Sequence, residues 1–232
     1  MEYQEKALKN LSGKLKGFYL SGGTALSLYY FHHRQSLDLD FFSPHFEKSV
    51  ISGIIKGLAE GLKQKIELVA EQNKKDRVRI EVYMVRFGKN EQLKIDFVED
   101  FLKTIKPAKV VNGIPVLSLE DIYLRKIYAV TGTMEAVDDI GRKKTIGGRQ
   151  EAKDFYDIYC LSSIFMPLSK FADKYCDAVR KEGLVRWFRT YDRLSIKSGL
   201  LELEINKEAD YRLMEKHFKR EIDKLLEKEV GL

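Results

Sequence analysis

The segment from Leu37 to Phe42 constrains the fold of this chain more than any other stretch. It places two aspartates, Asp38 and Asp40, one residue apart within the run Leu-Asp-Leu-Asp-Phe-Phe. In a β-strand, successive side chains alternate between the two faces, so the two carboxylates share one face. Leu37 and Leu39 then point to the opposite face and toward a core. The pattern predicts a strand that is apolar on one face and carries two like charges on the other.

Neighbouring carboxylates in a partly buried place repel each other. Protonation of one of them, a cationic side chain between them, or a bound metal ion relieves this repulsion. The alternative without a function is a pair of solvated carboxylates on an exposed edge strand, but the flanking apolar residues favour a semi-buried strand. We favour the metal, because the turn Gly22-Gly23-Thr24 precedes the pair. Such a turn can begin a helix whose free backbone N–H groups bind phosphate, although tight turns use glycines for steric reasons as well.

A third carboxylate, Asp96, occurs in a later alternating segment. There Lys94, Asp96 and Val98 share one face of the predicted strand, and Ile95 and Phe97 share the other. Taken alone, Asp96 is also explained by an ion pair with its neighbour Lys94. Three strand carboxylates together can hold two divalent cations, and such hard oxygen ligands suit Mg²⁺. A site of this kind beside a phosphate-binding turn suits phosphoryl or nucleotidyl transfer.

The hydrophobic periodicity predicts an α+β fold, a mixed sheet flanked by helices and followed by a helical C-terminal part. We expect an α/β core over residues 1–117 and a helical part over 118–232 that packs on it. Asn112-Gly113 is typical of a type I′ hairpin, and residues 88–91 are expected to form another turn. Helices are predicted at 24–33, 46–62, 118–132 and 151–164, and strands at 18–20, 65–69, 77–87, 92–98, 109–111 and 114–117.

The composition is that of a folded protein rather than a disordered one, since 33% of the 232 residues are charged and 44% are hydrophobic. No apolar run is long enough to span a bilayer, and the first residues lack the apolar core of a signal peptide, so we expect a cytoplasmic protein. Cys160 and Cys176 have no metal-ligand spacing and are most simply core thiols.

The net charge of +6 fits a polyanionic partner without requiring one. Four cations lie in the Gly-rich stretch 141–149, which we interpret as a mobile basic loop, either solvated or gripping phosphate. The aromatic residues Trp187, Phe188 and Tyr191 lie near arginines and could stack on RNA bases. Helix packing with the cations outside is the favoured interpretation of that segment.

Several blocks of the sequence together resemble one known family. Residues 22–26, followed by 33–42, are similar to the signature of the AbiEii/AbiGii-type nucleotidyltransferase toxins, a branch of the DNA polymerase β-like superfamily. The resemblance continues through 94–97, through the helix that holds Lys126, and through 153–159. The last segment is similar to the Asp-x-x-Asp motif that opens the helical part of the family. Asp154 and Asp157 occupy that motif, and their role does not follow from the sequence.

The resemblance implies a polymerase β-like core and an Mg²⁺- or Mn²⁺-dependent nucleotidyltransferase that moves an NMP from an NTP to an RNA acceptor, such as tRNA. It also implies a toxin with a separately encoded antitoxin. Protein nucleotidylylation and a non-catalytic nucleotide- or RNA-binding module remain open alternatives, and Lys126 alone could be an ordinary exposed helix residue. The implied roles are metal binding and catalysis for Asp38, Asp40 and Asp96, phosphate contacts for Gly22, Gly23 and Thr24, phosphate contacts or support of the strand for Arg34 and Ser36, and neutralisation of the triphosphate for Lys126.

Overall fold

The structure is a computed structural model, described here for residues 2–74, 77–88, 91–137, 139–206 and 210–230. The chain divides into two compact units. The first, the sheet unit, contains the residues up to Tyr30 and Gln35–Ile122. The second, the helical unit, contains Phe31–Arg34 and the residues from Tyr123 onward. The expected packing of a helical part on the core stays a prediction.

The sheet unit is built on a mixed seven-stranded sheet. Its strands are β1 Tyr19–Ser21, β2 Leu39–Ser43, β3 Ile66–Gln72, β4 Ile80–Arg86, β5 Gln92–Glu99, β6 Lys109–Val111 and β7 Ile114–Val116. Their spatial order is β3-β4-β5-β2-β1-β7-β6. The pairs β2–β5 and β1–β7 are parallel, and the other neighbours are antiparallel. The predicted α+β class with a mixed sheet is confirmed, and β3 and β4 extend the sheet in antiparallel fashion.

The apolar face of the central strands forms the core of this unit. Leu39, Phe41, Ile95 and Phe97 are fully buried, which confirms the alternation predicted for β2 and β5. The prediction was wrong for Leu37, whose exposed fraction is 70%. The reason is that the paired residues of β2 begin at Leu39, opposite Ile95 of β5, so the chain before that residue has left the pleated sheet.

Among the described residues, three helices belong wholly or mainly to the sheet unit. They are α1 Glu2–Leu11, α2 Gly22–Ala25, which continues as a π-helical segment over Leu26–Phe31, and α3 Lys48–Leu62. Helix α3 buries isoleucines and a leucine at helical spacing and is capped by Lys63, whose backbone is left-handed. Asn112 and Gly113 have φ of 51° and 77°, as a type I′ turn requires. Part of the predicted turn at 88–91 lies outside the described residues.

Most of the remaining elements lie in the helical unit. Ser118 precedes α4, and its Oγ accepts a hydrogen bond from the backbone N–H of Asp121, which caps the N-terminus of the predicted helix. The helices are α4 Leu119–Thr131, α5 Ala152–Cys160, which continues as a π-helical segment over Leu161–Phe165, α6 Leu168–Tyr175, α7 Ala178–Thr190, α8 Arg193–Glu202 and α9 Tyr211–Val230.

The basic stretch 141–149 is not simply a loop. Its residues Lys143–Ile146 form strand β9, which pairs antiparallel with β8, Met134–Val137. The prediction of an irregular loop was therefore wrong for this part, because backbone pairing fixes the cationic side chains along a hairpin. Among the described residues no helix has both the length and the apolar character that crossing a bilayer demands.

Aromatic side chains form the core of the helical unit. Phe155 of α5 lies 4.7 Å from Phe218 of α9 between ring centroids, and Trp187 of α7 lies 5.4 Å from Phe218. Trp187 and Tyr191 are buried, with exposed fractions of 5% and 2%. These rings stabilise helix packing, which confirms the favoured interpretation over stacking on RNA bases.

Candidate functional site

Strand pairing brings two of the three aspartates together. Asp40 of β2 and Asp96 of β5 are direct partners across the parallel pair, and their side chains share the face opposite Leu39 and Ile95. Asp40 is half-buried, and the side chain of Asp96 is 15% exposed. Two carboxylates from strands more than fifty residues apart in sequence therefore lie side by side on the sheet.

The side chain of Lys94 lies between Asp96 and the third aspartate, Asp38. The Nζ atom of Lys94 is 2.8 Å from Oδ2 of Asp96 and 3.7 Å from Oδ2 of Asp38, which precedes β2. Burial lowers the pKa of Lys94, but the hydrogen bond and the charge of Asp96 outweigh burial and raise the pKa above its ordinary value. Lys94 therefore stays charged. The sequence pointed to its pairing with Asp96 but gave no signal for its second contact, with Asp38.

The glycine turn lies directly against Asp40. Gly22 has a φ of 71°, and a Cβ atom at this position would overlap Oδ2 of Asp40. Both the backbone conformation and the neighbouring carboxylate therefore require glycine here. Ser21, which pairs with Asp40 across β1 and β2, is buried, and its Oγ has no hydrogen-bond partner among the described residues. Sequence reasoning missed Ser21, although its place before the glycines at the end of β1 was a usable signal.

Thr24 and Ser36 connect the glycine turn to the aspartates. The hydroxyl of Thr24 donates to the backbone carbonyl of Asp38, and it lies 2.9 Å from the hydroxyl of Ser36. Thr24 is fully buried, and the side-chain amide of Gln4 donates to the carbonyl of Ser36. These bonds hold the segment that carries Asp38 against the first turn of α2, so both hydroxyl side chains position a carboxylate.

We predict that Gly22→Ala inactivates the protein, whereas Gly13→Ala does not. Both glycines have a φ of 71°, but a Cβ at Gly13 would meet no atom within 4 Å. Each substitution therefore adds left-handed strain of about 1–2 kcal/mol, and only Gly22→Ala also displaces the Asp40 carboxylate. The nucleotide transfer that the resemblance implies, measured beside thermal unfolding of both variants, tests this expectation. Equal activity losses in the two variants would contradict it.

A second charged cluster lies within the helical unit. Asp157 of α5 is fully buried, and its carboxylate accepts hydrogen bonds from Nε and Nη2 of Arg34 at 2.7 and 2.8 Å. The imidazole of His33 lies 2.8 Å from the same carboxylate. Nζ of Lys126 lies 2.6 Å from Asp157 and donates to Asp154 at 2.7 Å. The cluster thus gives Asp154 and Asp157 the structural context that the sequence did not.

The charges of this cluster stabilise one another. Burial raises the pKa of Asp157, but the charges of Lys126 and Arg34 outweigh it and hold that pKa well below its ordinary value. Burial lowers the pKa of Lys126, and the two aspartates reverse this and raise it. Arg149, from the basic stretch, contacts Asp154 at 3.0 Å with its side chain 49% exposed. With three cations around two carboxylates, the cluster keeps an excess of positive charge.

The structure therefore divides the predicted site residues into two groups. The sheet unit brings together the aspartates, the glycine turn, Thr24 and Ser36, whereas Arg34 and Lys126 lie in the buried cluster of the helical unit. Lys126 is not an exposed helix residue, since its exposed fraction is 6%.

The carboxylate and hydroxyl oxygens of the sheet unit are suitable ligands for a hard divalent cation that also binds phosphate oxygens of the substrate. Within the described residues, no three His, Cys, Asp or Glu side chains lie close enough together to form a closed metal site. Mg²⁺ is usually held by one or two carboxylates together with water and substrate phosphates, so such a closed site is not required. Asp40 and Asp96 supply adjacent carboxylates, and the buried Oγ of Ser21 is an unused oxygen beside them.

Several solved structures have a fold similar to that of this chain. The chain is similar to JHP933 from Helicobacter pylori, with a TM-score of 0.57 and 20% identity over 99% of this chain and 93% of that one. A candidate nucleotidyltransferase from H. pylori gives a TM-score of 0.59 and 19% identity over 98% and 95%. MenT4, the nucleotidyltransferase toxin Rv2826c from Mycobacterium tuberculosis H37Rv, gives 0.54 and 13% over 95% and 82%.

The sequence comparison identifies the family of the chain. Residues 6–229 match the family described as nucleotidyl transferase AbiEii toxin, type IV TA system. The chain belongs to this family of nucleotidyltransferase toxins, as the resemblance implied. Membership implies an NTP substrate and an antitoxin partner. No curated protein gives a significant sequence match to this chain.

Proposed function

We propose that the chain transfers a nucleoside monophosphate from an NTP to a hydroxyl of an RNA acceptor, such as tRNA, with Mg²⁺ or Mn²⁺. The observation that carries this proposal is the pairing of Asp40 with Asp96 directly beside Gly22. That arrangement brings hard oxygen ligands and a helix-opening turn to one place, as transfer from a triphosphate requires.

In the proposed reaction, the acceptor oxygen attacks the α-phosphorus, the bond from that phosphorus to the bridging oxygen breaks, and pyrophosphate leaves. Bound divalent cations would supply charge neutralisation of the triphosphate and alignment of the two oxygens. Asp38, Asp40 and Asp96 would hold these cations. Asp96 would also accept the proton of the attacking hydroxyl, a role that its place beside Asp40 on the same face of the sheet supports.

The glycine turn and the cationic residues are assigned to the phosphates. The backbone N–H groups of Gly22, Gly23 and Thr24 begin α2 and bind the β- and γ-phosphates, while the Thr24 and Ser36 hydroxyls hold Asp38 in place. The resemblance also assigns Arg34 and Lys126 to the charge of the triphosphate. Because both side chains are buried in ion pairs with Asp154 and Asp157, this assignment stays a prediction.

A basic groove on the helical unit supports an anionic acceptor. Along this groove, formed by α7, the start of α8 and α9, the cations outnumber the two carboxylates, Glu215 and Asp223. A groove with this balance attracts a phosphodiester backbone more strongly than a neutral protein surface. Its cationic lining consists of Arg189, Arg193, Arg212, Lys216 and Lys219.

The test is incubation of the protein with each α-³²P-labelled NTP, Mg²⁺ and total cellular RNA, followed by a denaturing gel. Label in RNA of tRNA size with the native protein, and its absence with Asp38→Ala, supports the proposal and names donor and acceptor. Label on the protein itself would redirect the activity to protein nucleotidylylation. Label on neither, with every NTP, would contradict transfer to RNA.

We predict that the triple change Arg189→Gln, Arg212→Gln, Lys216→Gln weakens acceptor binding and leaves nucleotide binding unchanged. Each of these exposed side chains can neutralise one phosphate, so the slope of log affinity against log salt should fall by about 2. RNA binding measured at several salt concentrations gives this slope.

The matched control is the triple change Lys9→Gln, Lys14→Gln, Lys56→Gln. It removes the same charge from exposed positions of the sheet unit, outside the groove. An equal loss of RNA affinity in this control would show that net charge matters rather than the groove.

A further inference from the structure

Lys94 contacts carboxylates from two different segments of the chain. It precedes Asp96 by two residues on β5, so both side chains leave the same face of the strand, and it also reaches Asp38. An ordinary surface pair of the same spacing is seen in Lys65 and Glu67, whose polar atoms are 2.9 Å apart. The side chain of Lys65 is 84% exposed, whereas that of Lys94 is only 36% exposed. Lys94 is therefore partly buried between two carboxylates, whereas Lys65 is a solvent-exposed partner of one.

An ammonium group at this position partly replaces the positive charge of a metal ion. It neutralises carboxylates that would otherwise repel each other, and it binds through the same oxygens that a divalent cation needs. Two cations within a few ångströms of each other repel, so the ammonium and the metal cannot share these oxygens. A lysine has a flexible four-carbon stem, which lets the charged group withdraw without movement of the strand.

We propose that Lys94 is a positioning residue that takes the place of the divalent cation in the metal-free protein and competes with that cation for Asp38 and Asp96. This inference rests on the proposed function, because it requires that these aspartates hold a metal. The competition sets the cation concentration at which the site fills. It also holds the carboxylates close together before nucleotide and metal arrive.

The test compares Lys94→Met with the native protein, with Mn²⁺ as the probe. Thermal unfolding is recorded in chelator and then across a Mn²⁺ titration, which needs no activity measurement. In chelator, Lys94→Met should unfold at a lower temperature, because the carboxylates lose their counter-charge. Its half-saturating Mn²⁺ concentration should be about fivefold lower than that of the native protein, since the competing cation is gone.

Three further variants keep the result interpretable. Lys65→Met removes the same charge from the matched surface pair and should leave Mn²⁺ binding unchanged. Lys94→Arg keeps the charge and should keep the native half-saturation, which preserves the test if Lys94→Met does not fold. Asp40→Asn should remove the Mn²⁺ response.

Equal or weaker Mn²⁺ binding by Lys94→Met would overturn the competition, and so would tighter binding by Lys94→Arg. If the native protein itself shows no Mn²⁺ response with or without NTP, the proposed metal site fails, and the role of Lys94 fails with it. A Mn²⁺ response that Asp40→Asn abolishes but Lys94→Met leaves unaltered would overturn only the role of Lys94.

Discussion

Asp40→Asn is expected to lower nucleotide transfer by at least about a thousandfold while the protein stays folded. The substitution keeps the size of the side chain and removes the charge that lies between Gly22 and Asp96. The loss corresponds to about 4 kcal/mol of transition-state stabilisation, the scale on which metal-assisted charge neutralisation acts. The measurement is initial rate with saturating NTP and Mg²⁺, alongside the unfolding temperature.

The control for this prediction is Glu71→Gln on β3. Glu71 is an exposed carboxylate of the same sheet that pairs with Lys48, so the net charge change is identical. Its activity should remain within about twofold of the native value. Substantial transfer by Asp40→Asn, or a comparable loss in Glu71→Gln, would contradict the assignment of Asp40.

Asp157→Asn is expected to lower the free energy of unfolding by about 3–5 kcal/mol. The carboxylate of Asp157 is fully buried and neutralises Arg34 and Lys126, which would remain buried without it. Removing one partner from such a cluster leaves uncompensated buried charge, which is the costly case. For a chain of this length the unfolding temperature should fall by roughly 10 °C.

Asp223→Asn is the matched control within the helical unit. Asp223 pairs with Lys219 on the exposed surface of α9, with side chains 47% and 69% exposed, so its loss should cost less than about 1 kcal/mol. A similar effect of the two substitutions would show that the buried cluster contributes no special stability.

The dependence of the free energy of unfolding on pH, measured in acid, provides a further test of the role of Asp157. Its folded-state pKa lies well below that of an ordinary carboxyl, so its contribution is present above the ordinary value. The contribution is lost as the pH falls from that value through the lowered one. The difference in stability between the native protein and Asp157→Asn should therefore shrink only in strong acid, which unfolding measured below pH 4 would detect. If this difference in stability vanished near neutral pH, the stabilising role of the Asp157 carboxylate would be contradicted.

The local patterns of the sequence determined the elements and the class of the protein. Alternation placed Phe41, Ile95 and Phe97 in the core, and Asn112-Gly113 fixed a hairpin, because both depend on neighbours within a few residues. The same local spacing carried the family resemblance that the sequence comparison bears out. The local patterns gave wrong predictions at Leu37, where strand pairing is absent, and at Lys143–Ile146, where strand pairing was not predicted.

Only the tertiary structure decided which groups meet. The register of β2 against β5 placed Asp40 beside Asp96, and the same sheet brought Lys94 to Asp38. The burial of Lys126 with Asp157 joined helices whose sequence patterns gave no sign of each other. Strand register and helix packing depend on contacts between segments far apart in the chain, whereas periodicity records only the environment of each segment. The sequence therefore identified the carboxylates, the cations and the same-strand pair Lys94–Asp96, and the fold determined the partners that lie far apart in the chain.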